Sequence, residues 1–385
     1  MKQVVVSLVA TSLMQLPASY ANDDFSVSGF GSIVGGSVLQ GDGYWARLPE
    51  AARQYKNDVD FQTESRLGIQ GRYKATSSLS ITGQLMTRGV NDFQPDLEWF
   101  YASYQLTPDS RLQLGRMRLP VYHYSDAMDI GIAYPWLRVP SDAYSLAITN
   151  FHGASLQHRM NWQLGTTAFK LYAGQQNTDP NKLLTTIEQY KTEQLYDDQG
   201  HFTGVRNIRS SKEYKQLKGL VVDTNIDWFN LRLSYLDGKE NYRLYADEES
   251  RSEPLYGGQW TDSRFIDVSL SVDYSAFYFI TEWNNYHTIY SSWFSSLAYR
   301  MGPWTPYLFY SSFKGTQTSI GNPVNLDDHY SSVGVGTRYN LSSKAAIKLE
   351  LTDFSDKGDA AVFIDKDQDG DTDATAIAVA LDFSF

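Results

Sequence analysis

From Thr375 to Phe385 every second residue is apolar or nearly so: Thr375, Ile377, Val379, Leu381, Phe383 and Phe385. Between them stand Ala376, Ala378, Ala380, Asp382 and Ser384. A period of two over this length specifies a β-strand with one greasy face and one small or polar face. A soluble antiparallel strand can carry the same pattern, but it less often runs to the last residue and stops on an aromatic. A barrel with lipid outside and water inside requires such a strand.

The other end of the chain agrees. Lys2 precedes Val4, Val5, Val6, Leu8 and Val9, then Leu13 to Leu16, an apolar run too short to span a bilayer. Ser19-Tyr20-Ala21 places small residues at the −3 and −1 positions, so residues 1–21 read as a secretory signal peptide and residues 22–385 as the mature domain. No later stretch has the length and apolarity of a transmembrane helix. The net charge is −11 and the mean hydropathy −0.40, which argues against helical membrane spans and against nucleic acid as a partner. A polar average is compatible with a barrel, because only alternate strand residues face lipid. Cysteine is absent, which removes disulfides, thiolate metal sites and cysteine nucleophiles. The 27 Tyr, 19 Phe and 9 Trp are enough to furnish interface girdles.

From Phe25 onward, strand-like segments alternate with connections that are by turns short and long. Thr107-Pro108-Asp109-Ser110, Ser275-Ala276, Gly302-Pro303 and Leu341-Ser342-Ser343 make the short ones. Gln40 to Asp58, Val121 to Ala147, Gln176 to Gln216 and Ser355 to Ala374 make long ones. Helical spacing is expected at Leu48, Ala51, Ala52 and Tyr55, and again at Leu183, Leu184, Ile187 and Tyr190 behind an Asp179-Pro180 start. The fold class is therefore all-β: a transmembrane antiparallel barrel of about sixteen strands, with both termini at the short-turn, periplasmic end. Ile266, Val268, Leu270, Val272 and Tyr274 should face out, opposite Asp267, Ser269, Ser271 and Asp273. A soluble sandwich or propeller fits the signal peptide, terminal Phe and loop asymmetry less well.

The ending resembles the C-terminal strand of Gram-negative outer-membrane proteins. Leu114-Gly115-Arg116-Met117-Arg118-Leu119-Pro120 resembles the stretch that precedes the inward-folded third loop of phosphate-selective and related trimeric porins. The resemblance implies passive diffusion of small hydrophilic solutes and ions through a water-filled pore narrowed by loop three. It also implies a homotrimer, contact with outer-membrane lipids and lipopolysaccharide, and Phe385 as part of the signal read by the barrel-assembly machinery. The solute does not carry over.

The residues point the same way. Pro120 cannot donate to a ladder and ends its strand, and a long structureless connection is usually functional. This one holds Asp126, Asp129, Arg138 and Asp142. Charges of both signs at a constriction would orient solutes and set ion preference. Arg116 and Arg118 share a strand face with Leu112 and Leu114, and Arg at the bilayer midplane costs roughly 2–4 kcal/mol. Either a bulge near Gly115 turns both arginines into the pore or the strand lies at a subunit interface; the bulge is favoured. Arg116, Arg118 and Arg138 are thus expected to give a weak anion preference or little preference, in spite of the acidic whole.

Asp365, Asp367, Asp369, Asp371 and Asp373 have the spacing of an EF-hand calcium loop with Gly370 at its turn, but position twelve is Ala376. Weak Ca²⁺ binding and a solvated acidic tip are both open. No catalytic residues are expected. His152 and Ser155 fall on opposite strand faces, and neither Gly-x-Ser-x-Gly nor His-Glu-x-x-His occurs. The competing readings are a barrel enzyme of lipase or protease type and a surface adhesin or structural barrel.

Overall fold

The structure is a computed structural model that describes residues 24–41, 55–146, 148–176, 189–196, 202–245, 256–287, 289–318, 325–357 and 373–385. Three sequence expectations lie outside these residues: the signal-peptide stretch 1–21, Leu48, Ala51 and Ala52 of the first expected helix, and Leu183, Leu184 and Ile187 of the second. Seventeen strands form one antiparallel sheet. In chain order they are β1 (Phe25–Gln40), β2 (Arg66–Lys74), β3 (Leu79–Arg88), β4 (Pro95–Thr107), β5 (Ser110–Arg118), β6 (Asn150–Trp162), β7 (Gly165–Gln176), β8 (Gln189–Tyr196), β9 (Phe202–Ile226), β10 (Phe229–Tyr245), β11 (Tyr256–Tyr274), β12 (Phe277–Tyr286), β13 (Tyr290–Tyr299), β14 (Trp304–Thr318), β15 (Asn325–Ser342), β16 (Ala345–Asp356) and β17 (Ala374–Ser384). Among the described residues β8 pairs only with β9, and β7 pairs directly with β9. Sixteen strands remain as staves, and β1 pairs with β17 to close the barrel.

Alternation sets the two faces of the wall. On β11, Asp267, Ser269 and Ser271 are buried while Ile266 is exposed and Val268, Leu270 and Val272 are half-buried. On β16, Lys348, Glu350 and Thr352 point in, and Ile347, Leu349 and Leu351 stand exposed outside. An outer face of this composition is stable against hydrocarbon and not against water.

The closing seam explains two glycines of β1. The Phe385 ring lies over Gly29 and the Phe383 ring over Gly31; a Cβ at either glycine would sit 2.2 and 2.6 Å from ring carbons. The Phe385 N–H donates to the Gly29 carbonyl and the Gly29 N–H to the Phe385 carbonyl, both at 2.9 Å. Deleting Phe385 removes both bonds and uncovers Gly29. The expected result is a lower yield of heat-modifiable, folded barrel on gels, and an unchanged yield would refute this account of the seam.

Three expectations need correction. Tyr190 lies in β8 and not in a helix, paired opposite Arg209. Residues 202–216, expected as loop, are the first part of the 25-residue β9. That stretch is polar at most positions, so the period-two signal that lipid contact imposes is absent there. Finally, there is no bulge at Gly115: the pairing runs without a shift from Phe100↔Arg116 to Ala102↔Leu114 on one side and from Leu114↔Ala154 to Arg116↔His152 on the other. Gly115 instead takes φ +137°, where L side chains are strained, and a Cβ there would meet the Phe100 carbonyl oxygen at 2.4 Å. Gly153 lies opposite it, and Gly174 opposite Gly153. Beyond this row of glycines the strict alternation of β5 is lost: Leu114 is exposed, while Arg116, Met117 and Arg118 are all buried.

The apolar core is inside the barrel. Tyr122, Tyr134, Trp136, Leu146 and Ile148 of the 119–149 connection are buried with Phe265, Ile280, Phe294 and Phe309 of the wall.

Candidate functional site

The connection after β5 is held inside the barrel by the strands it faces. Pro120 ends β5, and its carbonyl accepts a 2.8 Å bond from Arg232 Nη2; Ser234 Oγ donates to the next carbonyl, Val121. Two short 3₁₀ turns follow, Ser125–Ala127 and Gly131–Ala133. From there the segment bonds to most of the wall. The His123 N–H and the Tyr144 hydroxyl donate to the two carboxylate oxygens of Glu282 on β12, at 2.8 and 2.6 Å. Trp136 Nε1 donates to Ser296 Oγ on β13 at 2.6 Å. Asn284 Nδ2 donates to the Ala143 carbonyl at 2.8 Å, and Arg338 on β15 to the Ile132 carbonyl at 2.8 Å. Lys348 Nζ on β16 donates to the carbonyls of Gly131 and Trp136 and pairs with Asp382 of β17 at 2.9 Å. Gly131 is required here, since a Cβ would lie 2.1 Å from Asp382 Oδ1.

The charged residues singled out in the sequence are distributed as follows. Arg118 pairs with Glu98 at 3.0 Å and with Asp129 at 2.6 Å, and it lies over the Trp99 ring. Arg88 bridges the same two carboxylates at 2.8 and 2.9 Å. Arg138 pairs with Glu64 at 2.7 Å and Glu350 at 2.9 Å. Asp142 accepts from Ser311 Oγ at 2.5 Å, and burial pushes its carboxyl up to about 6. Burial also holds the His123 imidazole below its ordinary value. Arg116 donates to the Glu98 carbonyl at 3.1 Å and stands 3.8 Å from Asp96. Asp126 is exposed. Arg118 and Asp129 therefore meet directly, Arg138 and Asp142 anchor the segment elsewhere, and Arg116 touches none of the other five. Of the calcium motif, Asp365, Asp367, Asp369 and Asp371 lie outside the described residues; Asp373 accepts bonds from the Asp356 N–H and from Ser355 at the end of β16.

Sequence reading missed the partners of these groups: Glu64, Arg88, Glu98, Glu282, Lys348, Glu350 and Asp382, and Arg66, which donates to the Asp129 carbonyl at 2.8 Å and to the Tyr134 hydroxyl at 3.2 Å. The signal for Lys348 and Glu350 was available, because both sit between outward Ile347, Leu349 and Leu351. A second group was missed altogether. Gln70 bonds Gln84 and Trp99 across the inner face of β2, β3 and β4, and Arg72 and Lys74 continue that face. Arg111 donates to Gln105 on the face opposite exposed Leu114. Arg159 shares the face of buried Ser155, and Lys170 that of buried Tyr172. These five cations line the inner wall toward the short-turn end. Among the described residues none has a carboxylate within ion-pair distance. β2, β3, β5, β6 and β7 contain no Asp or Glu at all. Asp223 on β9, the stave next to β7 and two residues along from the Val221 that faces Lys170, is occupied by Arg232 at 3.3 Å, and Asp273 on β11 by Arg300 at 2.6 Å.

No family model and no curated sequence matches this chain. Solved structures do. Salmonella typhi OmpF in complex with daunomycin has a TM-score of 0.57 at 13% identity, over 95% of this chain and 100% of that one. An anion-selective porin from Comamonas acidovorans gives 0.53 at 13% identity, over 94% and 100%. The trimer form of in-vitro folded OmpT, an outer membrane protein of Vibrio cholerae, gives 0.55 at 10% identity, over 94% and 100%. At these identities the likeness is one of fold: the chain has the closed sixteen-stranded barrel of Gram-negative outer-membrane porins.

Proposed function

We propose that the chain, after removal of residues 1–21, is an outer-membrane channel for passive diffusion of small hydrophilic solutes and ions. The observation that carries this reading is a wall apolar outside and polar inside, with a 119–149 connection drawn into its lumen and bonded to the far strands. That connection acts as the constriction. The working form is a homotrimer in contact with lipopolysaccharide and other outer-membrane lipids, assembled by the barrel-assembly machinery through the strand that ends at Phe385. Arg72, Lys74, Arg111, Arg159 and Lys170, without carboxylate partners among the described residues, give the passage an anion preference, because a confined solute feels nearby charges more than distant ones. The chain is read as a non-enzyme; His152 Nε2 and Ser155 Oγ are each buried without a partner and form no nucleophile–base pair.

Single-channel recording in planar bilayers with a panel of ions and small solutes tests this. Discrete conductance steps from the heat-modifiable species are expected. A folded barrel that never conducts, or one that hydrolyses lipid or peptide through repeated purification, would move the reading to the adhesin or the enzyme.

A further inference from the structure

Toward the short-turn end, the inner face of β4 reads Trp99, Tyr101, Ser103 and Gln105, all half-buried. Two rings two residues apart on one strand face stand about 7 Å from each other along the wall. In the row of Tyr101 the next three staves carry glycine: Tyr101 is opposite Gly115, Gly115 opposite Gly153, and Gly153 opposite Gly174. The wall beside that ring therefore bears no side chain for three staves. Amides frame the rings. Gln70 Oε1 accepts from Trp99 Nε1 at 3.1 Å and from Gln84 Nε2 at 3.3 Å, and Gln113 donates to Ser103 Oγ at 3.2 Å. Gln84 Oε1 and Ser155 Oγ, buried in the same wall, have no hydrogen-bond partner among the described residues, and such atoms are costly to leave unmatched. The five unpaired cations flank this strip. Arg72 and Lys74 lie on β2, and Arg111, Arg159 and Lys170 on β5, β6 and β7. From β2 to β5 is three strand spacings, about 14 Å along the wall. One small anion does not reach both groups.

We infer that this strip binds a saccharide that bears carboxylates, a short uronic-acid oligomer, as the preferred solute of the channel. The apolar faces of its rings lie against Trp99 and Tyr101. Its hydroxyls both donate and accept, as the side-chain amides do. Arg72 on one side and Arg111 on the other offer planar forks to its carboxylates. A simple inorganic anion leaves the rings and amides unused, and a neutral sugar leaves the cations unused; only a ligand with both chemistries uses the whole strip. The inference rests on the channel reading and its anion preference, and it names the solute class.

The test adds digalacturonate, its uncharged dimethyl ester and adipate to the short-turn side of single channels in KCl. Digalacturonate should halve the wild-type current at a concentration about tenfold below that of either comparison compound, since it alone combines charge with stacking and hydrogen bonds. Tyr101→Leu should lose the advantage of digalacturonate over adipate, and Tyr101→Phe, which keeps the ring, should retain most of it. Tyr101 is chosen because Trp99 also lies against Arg118. If Tyr101→Leu does not give the heat-modifiable species, Gln113→Leu on the neighbouring stave takes its place. Adipate that blocks as well as digalacturonate reduces the strip to charge alone; it overturns the inference and leaves the anion preference standing. Equal block by the dimethyl ester overturns it too, as does a folded Tyr101→Leu or Gln113→Leu channel that still favours digalacturonate tenfold. Absence of conductance would tell against the channel itself. Titration calorimetry of digalacturonate into the folded wild-type barrel then reads the strip alone: binding tighter than that of adipate supports it, and no difference overturns it.

Discussion

In a KCl gradient the wild-type channel should set its reversal potential on the chloride side, and R111Q/R159Q/K170Q should carry it toward K⁺. The argument is one of distance and pairing. Salt screens charge over about 8 Å at physiological strength, so the acidic surface contributes little inside the lumen. Within it, Arg116, Arg118 and Arg138 are held by carboxylates or carbonyls, whereas Arg111, Arg159 and Lys170 have no ion-pair partner among the described residues. Arg111 and Lys170 both pair opposite Gln157, so replacing them with glutamine keeps polar side chains around one spot of the wall. Citrate added on the short-turn side should reduce the wild-type KCl current more than that of the triple variant. Replacing Arg116 and Arg118 by Ala is expected to act chiefly on folding, since it strips buried partners from Glu98 and Asp129. A K⁺-selective wild type, or a conducting triple variant with an unchanged reversal potential, would remove these three cations from the selectivity account.

The contrast between the two sets of arginines shows what a sequence can carry. The barrel was legible because lipid contact writes a period of two onto every stave it touches, most plainly on Ile377, Val379 and Leu381. The inward connection was legible from Pro120 and from the length that follows it. Pairing was not: Arg138 meets Glu64 and Glu350, 74 and 212 residues away along the chain, and nothing local records either contact. The inward face of Lys348 was legible from the alternation of β16, but its pairing with Asp382 and with the Gly131 and Trp136 carbonyls was not. The early part of β9 escaped because, without lipid to impose a pattern, both faces of a strand can be polar. Gly115 was rightly placed at a change of phase, but the change is made by a backbone torsion that only glycine adopts readily, with the pairing register intact.

Lys348→Met should be the most damaging single change in the lumen. Lys348 and Asp382 are both fully buried, and the ammonium also holds the Gly131 and Trp136 carbonyls and lies 4.7 Å from the Tyr134 ring centroid. Among the described residues, removing it leaves Asp382 with Ser32 Oγ, 2.5 Å from one carboxylate oxygen, as its remaining side-chain donor. Breaking one side of a buried ion pair costs about 3–5 kcal/mol, because the other charge stays desolvated. The expected result is a marked drop in the temperature at which the barrel loses its folded gel mobility. Lys348→Met/Asp382→Asn removes both charges and should recover most of that loss, since the uncompensated charge is the main cost. It does not restore the two donors to the connection. The double variant should therefore be nearly as heat-resistant as the wild type, yet show a larger or noisier single-channel conductance. A single variant as stable as the wild type would mean that Asp382 is solvated or protonated there. A double variant with wild-type conductance would mean that the Gly131–Ala133 turn is held in place without Lys348.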